Sequence, residues 1–559
     1  MSGSIDSIST RGLAKDDPNH IHGEKSLVKR PKVDDSDRPK VGGDTGTPAR
    51  LILAARSSVV KMKERNRRKR NKETCDRISH LPEPILRHIV SLLSTKDALR
   101  TSFLSKSWRN LWTCIPVLDF HEPNFYNEEI IRYFFELVKD RDYYKMWKWK
   151  KQFADLVDRS LLFHESQNIR ELRIKFHCLD YYDLSTRADQ WVRFALTNVP
   201  VIDLNFSGRC HDQDHCPEKL YQLPPCPYPS KLLKAMKLNF CLFKSSEHKS
   251  FPYLETVILT EVKLPDTSVQ DLIAICPHLE FLHLKRCYLP EELTIHAPQS
   301  QLKHLWMDSC KSHTGYPVFE YHINIPSLLH FQFVGRLLDG LSLKNLSKLI
   351  DARLEFPQDV LFTNHGEMLC ELLEDMDHAR ALTLSSWCLQ ALPIVEDLDG
   401  FRESLPSPLH NLKHLTLQTG LDNYGLVGLA CLLRSSPNLE ALSIDIGDSI
   451  DMNWDYIEEP EYLDIFDFDG ENFWESQLLL FHCLTHHLKK VEINGFMGRN
   501  REIGLVKFLL KESLILKEMV ITHVECFLVT LNFLKRKFLI ARKLIALPRA
   551  CPYAEIKFS

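Results

Sequence analysis

Residues 279–289 read LEFLHLKRCYL, with Leu279, Leu282 and Leu284 spaced as L-x-x-L-x-L and followed by Cys287 and Leu289. In a strand, alternate side chains face the same way, so Leu282 and Leu284 point to one side and His283 to the other. The pattern recurs as LKAMKLNFCLF at 233–243, LETVILTEVKL at 254–264, LKHLWMDSC at 302–310, ARALTLSSWCL at 379–389, LKHLTLQTG at 412–420 and LEALSID at 439–445. Weaker copies centre on Leu172, Leu204, Phe331 and Ala352, so anchors fall at 172, 204, 236, 257, 282, 305, 331, 352, 382, 415 and 442. Self-similarity at this period is the mark of a solenoid, in which each coil has an apolar face that only its neighbours can cover. Three inward side chains per coil, at roughly 1.5–3 kcal/mol each, make stacking the main source of stability.

The spacings, from 21 to 33 residues, bracket the leucine-rich-repeat period. The expected fold is an α/β solenoid: an irregular leucine-rich-repeat horseshoe with parallel strands. Lys237, Ile258, His283, Trp306, Gln332, Arg353, Thr383, Thr416 and Ser443 lie between paired strand anchors and are expected to face outward on the concave sheet. Solenoids bind on that surface, so His283, Trp306, Gln332 and Arg353 are the client-binding candidates. Trp306 is either an interface hot spot or covered by a flanking loop. Cys241, Cys287 and Cys310 sit where the chain turns inside the core, which is a packing role.

Upstream, residues 76–112 read DRISHLPEPILRHIVSLLSTKDALRTSFLSKSWRNLW. Ile85, Ile89, Leu92 and Leu93 form one helical stripe, widened by Leu86 and Val90. Pro82 and Pro84 mark the helix start, and Thr95 and Ser105 are candidate caps for two further short helices. Trp108, Leu111 and Trp112 add an aromatic face. About forty residues cannot easily bury this much apolar surface among themselves, so the unit is expected to dock.

The stretch resembles a plant-type F-box, with D-x-I-x-x-L-P-x-x-I-L, T-K-D-A and S-x-L-S-K-x-W-x-x-L-W in order. The match runs through Asp76, Ile78, Leu81, Pro82, Ile85, Leu86, Thr95, Lys96, Asp97, Ala98, Ser102, Leu104, Ser105, Lys106, Trp108, Leu111 and Trp112. It departs at Ser107, where the family usually has Arg. The resemblance implies a three-helix unit that binds the Skp-type adaptor of a cullin ubiquitin ligase. Leu81, Pro82, Ile85, Leu86, Ile89, Leu104, Trp108 and Trp112 divide between internal packing and adaptor contact, and the sequence leaves that division open. Residues 483–521 resemble the FBD domain at the C-terminus of many plant F-box/leucine-rich-repeat proteins, notably at Cys483, Leu484, Leu488, Val491, Ile493, Gly495, Phe496 and Gly498. The implied organisation is a basic arm (1–74), the F-box (75–121), a helical linker (122–165), leucine-rich repeats (166–446), an acidic insert (447–476) and an FBD-like cap (477–559).

Composition limits the other function classes. The net charge of −3 gives no global field for nucleic acid or membrane. Sixteen cysteines spread singly through apolar repeats, with no secretory leader, fit a reducing nuclear or cytoplasmic home. Residues 1–74 are too polar to bury a core and read as disordered. Within them Lys61, Lys63, Arg65, Arg67, Arg68, Lys69, Arg70 and Lys72 stand against one Glu, as a nuclear-import signal or a solvated charge run. Residues 445–475 hold twelve Asp or Glu and no Lys or Arg. The arm and this insert either attract one another or stay independent. The segment 527–547 is broken by five basic residues and reads as an amphipathic helix, not a membrane span.

CHDQDHC at 210–216 brings together Cys210, His211, His215 and Cys216, but five residues separate the cysteines and no second pair follows, so no metal site is assigned. There is no phosphate-binding G-x-x-x-x-G-K-[ST] loop and no G-x-S-x-G elbow, and no cofactor or catalytic residue is indicated. The implied function is a non-catalytic substrate-recognition subunit of a Skp–cullin–F-box ligase with an unnamed protein client. The alternative is a non-degradative nuclear scaffold whose arm meets nucleic acid.

Overall fold

The computed structural model describes residues 78–122, 143–165, 169–176, 182–206, 220–225, 230–245, 250–265, 268–314, 320–336, 340–357, 364–394, 401–447, 468–477, 480–524 and 531–558. The basic arm, the CHDQDHC segment and most of the acidic insert lie outside them. From Arg77 onward the described chain forms one compact unit.

Helix α1 (Glu83–Ser91) starts after Pro82, with a proline in its first turn. Helix α2 (Thr95–Thr101) is capped by Ser94, whose side chain accepts from the Asp97 N–H at 3.2 Å. The candidate cap Thr95 is instead buried, and its Oγ1 accepts from the Asp119 N–H at 2.7 Å. That bond ties the helical unit to the first strand of the solenoid. The third helical segment is split into two short 3-10 turns, Lys106–Trp108 and Leu111–Cys114, and Ser105 makes no capping hydrogen bond.

Fifteen parallel strands then follow one another in chain order, from Val117–His121 to Glu555–Phe558. Leu172, Ile202, Met236, Val257, Leu282, Leu305, Phe331, Ala352, Leu382, Leu415, Leu442, Val491 and Met519 stand in register. Ten of these are anchors read from the repeats and Val491 and Met519 continue the row; Ile202 replaces Leu204, which sits at the second inward position of its strand. The first and last strands, VLDFH and EIKF, carry no L-x-x-L-x-L pattern.

The other side of the coils holds α3 (Tyr143–Phe163), α4 (Tyr182–Asn198), α5 (Ser268–Ile275), α6 (His365–Asp375), α7 (Ser386–Ala391), α8 (Asn423–Ser435), α9 (His482–His486) and α10 (Asn500–Glu512). Near the C-terminus lies α11 (Leu531–Ile545). It buries Leu544 and exposes Phe538 and Leu539, as an amphipathic helix does. Between α5 and α6 the short coils carry a second, three-stranded parallel sheet, Glu292–His296, Glu320–Asn324 and Gly340–Lys344. Their sequences ELTIH, EYHIN and GLSLK alternate with period two, which selects strand over helix.

One turning device repeats along the solenoid. Phe240, Glu261, Arg286 and Ser309 each follow a strand and hold positive φ, between 48° and 56°. Their N–H groups donate to Thr260, Lys285, Asp308 and Val334 carbonyls of the next coil. Left-handed backbone is costly for non-glycine residues, so the inter-coil hydrogen bond must hold it. The next residue in each case, Cys241, Val262, Cys287 or Cys310, is buried. The Cys287 thiol donates to the Leu259 carbonyl at 3.3 Å and Cys310 to that of Leu284 at 3.4 Å, each reaching the previous coil. Cys241 is fully buried at the same place.

A single apolar core runs from Leu86 to Ala554. Residues 483–521 supply the Lys490–Phe496 and Glu518–His523 strands with α10 between them, as further coils of the same sheet. Trp474, at the end of the acidic stretch, stacks on Phe508 of α10 at 4.5 Å.

Candidate functional site

The helical unit at 78–118 sorts its apolar residues into two sets. Leu86, Val90, Trp108 and Leu111 are buried, and Leu81, Ile89 and Trp112 pack partly against the core. The Trp108 indole N–H donates to Ser79 Oγ at 2.8 Å, so even its polar edge is used internally. Pro82 is exposed at the start of α1. Ile85 is 46% exposed and Leu104 is 67% exposed. Ile78, Leu92, Leu93 and Phe103 join them, with Phe103 reaching 89%.

Six large apolar side chains open to solvent within one small helical unit are more than a folded surface leaves by chance, and such patches mark docking sites. Ile78, Leu92, Leu93 and Phe103 were not among the sequence candidates, although Leu92 and Leu93 lay on the helical stripe. Phe103 follows α2 in a turn, off any helical stripe, so periodicity gave no signal for it.

On the solenoid, the strand register lines up one outward residue per strand: Asp119, Arg173, Asp203, Lys237, Ile258, His283, Trp306, Gln332, Arg353, Thr383, Thr416, Ser443, Glu492, Val520 and Lys557. The four sequence candidates, His283, Trp306, Gln332 and Arg353, are therefore direct neighbours on four successive strands. Trp306 is partly buried by its neighbours: its ring meets His283 of its own row at 5.4 Å and Phe281 of the adjacent row edge-on at 4.8 Å. His304 and His330 stack at 4.6 Å in the adjacent row. Burial lowers the His283 and His304 pKa values below the ordinary imidazole range, with the neighbouring His330 adding to the shift at His304.

Phe281, His304 and His330 extend the centre beyond the sequence candidates. They escaped because an outward residue two places before the central one cannot be ranked from a single coil. Charged pairs frame this aromatic centre: Lys285 with Asp308 at 3.2 Å on one side, and Arg353 with Glu355 on the other. The arrangement is an aromatic and imidazole cluster with a charged rim, the composition of an interface hot spot.

Burial pushes Cys241, Cys276, Cys388, Cys431 and Cys483 up to about 12, leaving them as thiols at neutral pH. No helix among the described residues is long and apolar enough to cross a membrane.

Comparison with known proteins agrees with both halves. The F-box domain model matches residues 78–118, and the At1g61320/AtMIF1 LRR domain model matches residues 161–529. The putative F-box/LRR-repeat protein At5g54820 of Arabidopsis thaliana is 25% identical over 451 residues, covering 78% of this chain and 88% of the relative. The FBD-associated F-box protein At5g27750 of Arabidopsis thaliana is 25% identical over 468 residues, covering 80% and 92%. The F-box protein At3g62430 of Arabidopsis thaliana is 27% identical over 496 residues, covering 86% and 99%. With two thirds of its length in the repeat match and the F-box ahead of it, the chain belongs to the plant F-box/leucine-rich-repeat family, with an LRR domain of the At1g61320/AtMIF1 type.

Proposed function

We propose that this chain is the substrate-receptor subunit of a Skp–cullin–F-box ubiquitin ligase, working in the nucleus or cytoplasm. The observation that carries it is the set of exposed apolar side chains, Ile78, Ile85, Leu92, Leu93, Phe103 and Leu104, on the unit that matches the F-box. A Skp-type adaptor covers that patch. A protein client rests on the platform around Trp306. Ubiquitin is delivered by a conjugating enzyme held elsewhere on the cullin, and the receptor contributes proximity: it raises the effective concentration of client lysines at the loaded thioester. No residue of this chain needs to act as nucleophile.

The test is capture of a purified plant Skp-type adaptor by the full-length chain. The parent retains the adaptor, and Leu104→Asp, which alters an exposed side chain and leaves the core intact, loses it. Equal retention by both, or retention of nucleic acid in a salt-sensitive way with no adaptor, overturns the reading in favour of a scaffold.

A further inference from the structure

The second sheet carries a side-chain cluster that adaptor and client binding leave unexplained. Glu292 and Glu320 stand directly opposite one another across the Glu292–His296 and Glu320–Asn324 strands, and Thr294 faces His322 on the same side. Like charges opposite in register are destabilising. His322 Nε2 lies 3.0 Å from Glu320 Oε2 and 3.8 Å from Glu292 Oε1. Among the described residues no Lys or Arg forms an ion pair with either carboxylate.

We propose that Glu292, Glu320 and His322 form a binding site for one divalent first-row transition-metal ion, of the Mn²⁺ or Zn²⁺ class. One ligand atom from each of the three residues lies within 4.8 Å of the other two. Around an ion with metal–ligand bonds of about 2.0–2.2 Å, ligand atoms stand about 3.0–3.5 Å apart, so small side-chain rotations suffice. One imidazole and two carboxylates, with no sulfur, suit this ion class better than Mg²⁺ or Ca²⁺, which take oxygen ligands alone.

Room for the ion's remaining ligands is present. The residue opposite Glu320 on the third strand is Gly340, and a Cβ added there would meet nothing within 4 Å. Glu320 and His322 also line a cavity of about 500 Å³ with Leu341 and Leu372 in its wall. The open coordination positions are available to water or to a carboxylate or carbonyl oxygen of a bound partner. Metal ligands bind in their deprotonated forms, so uptake weakens as pH falls.

The experiment titrates the full-length chain, freed of metal with EDTA and desalted, with Mn²⁺, following the loss of the free-ion electron paramagnetic resonance signal. The parent takes up one Mn²⁺ that excess Mg²⁺ does not displace. Glu292→Gln and His322→Ala each weaken uptake by about tenfold or more. Both variants stay folded in EDTA, because the altered side chains are not buried, and Glu292→Gln, which relieves the opposed charges, melts no lower than the parent. Absence of uptake by the parent, or uptake unchanged in both variants, overturns the assignment; the second result would place the ion among the chain's other histidines and cysteines.

Discussion

The indole N–H of Trp108 donates to Ser79 Oγ at 2.8 Å, which closes the last turn of the F-box onto its first. Because Trp108 is also buried, Trp108→Ala is expected to cost about 3–5 kcal/mol, and Trp108→Phe about 1 kcal/mol for the lost hydrogen bond. Hydrogen exchange over residues 78–118 reads the difference. The Ala variant should open that unit while the strands from Glu171 onward stay protected. Uniform loss of protection along the chain would show that the F-box and solenoid unfold as one.

Trp306 meets both Phe281 and His283 of the preceding strand. Trp306→Ala should lower client capture by about tenfold or more, as hot-spot truncations do, and leave adaptor capture at the parent level. A client held with unchanged affinity would remove the platform from the binding surface.

His164 lies at the seam between F-box and solenoid, with Nε2 2.9 Å from the Ile115 carbonyl and Nδ1 buried without a hydrogen-bond partner among the described residues. Desolvation lowers its pKa below the ordinary 6.5, against the smaller opposing effect of the backbone hydrogen bonds. A depressed folded-state value means protonation favours the unfolded chain, so stability is full above about pH 6.5 and is lost as pH falls through the folded value. Thermal midpoints at pH 7.5 and 5.5 should separate in the parent and lie closer together in His164→Gln, which keeps a donor and cannot titrate. An equal acid loss in both would assign the effect to other histidines.

A Cβ on Gly428 of α8 would come 2.0 Å from the carbonyl oxygen of Leu389 in α7. Backbone cannot yield as a flexible side chain does. Gly428→Ala is therefore expected to destabilise by about 1–3 kcal/mol, although alanine is the better helix former. Denaturant unfolding tests it, and a stabilised variant would refute the close approach.

Of the ten described cysteines, eight are buried, and Cys114 and Cys551 are partly exposed. Maleimide labelling of the native chain followed by peptide mapping should modify those two and spare Cys241, Cys287, Cys310 and Cys388 until denaturant is added. Early modification of Cys287 or Cys310 would contradict their inter-coil packing.

The solenoid was legible because L-x-x-L-x-L states its own register; Leu282 and Leu305 pair as their motifs imply. Leu204 misled because two inward leucine-type positions two residues apart are interchangeable within one coil, and only pairing to Leu172 selects Ile202. The second sheet was missed because ELTIH and EYHIN are short and flank stronger repeats. The F-box was recognisable as a motif, yet the division between Leu86 and Ile85, one buried and one exposed, depends on which side of α1 meets the Leu111–Cys114 turn. The platform's neighbours Phe281 and His304 became visible only when adjacent coils were set side by side.

Because fifteen strands, from Val117–His121 to Glu555–Phe558, join one hydrogen-bonded sheet, the chain works as a ruler. Trp306 lies on the seventh strand, and six steps of about 4.8 Å set it roughly 30 Å from the strand that abuts the F-box. Adding or removing one coil between them would shift the client by about 4.8 Å and rotate it by one increment of twist. Under the proposed receptor function, repeat number would set where on a client the ubiquitin lands, independently of how tightly the client is held.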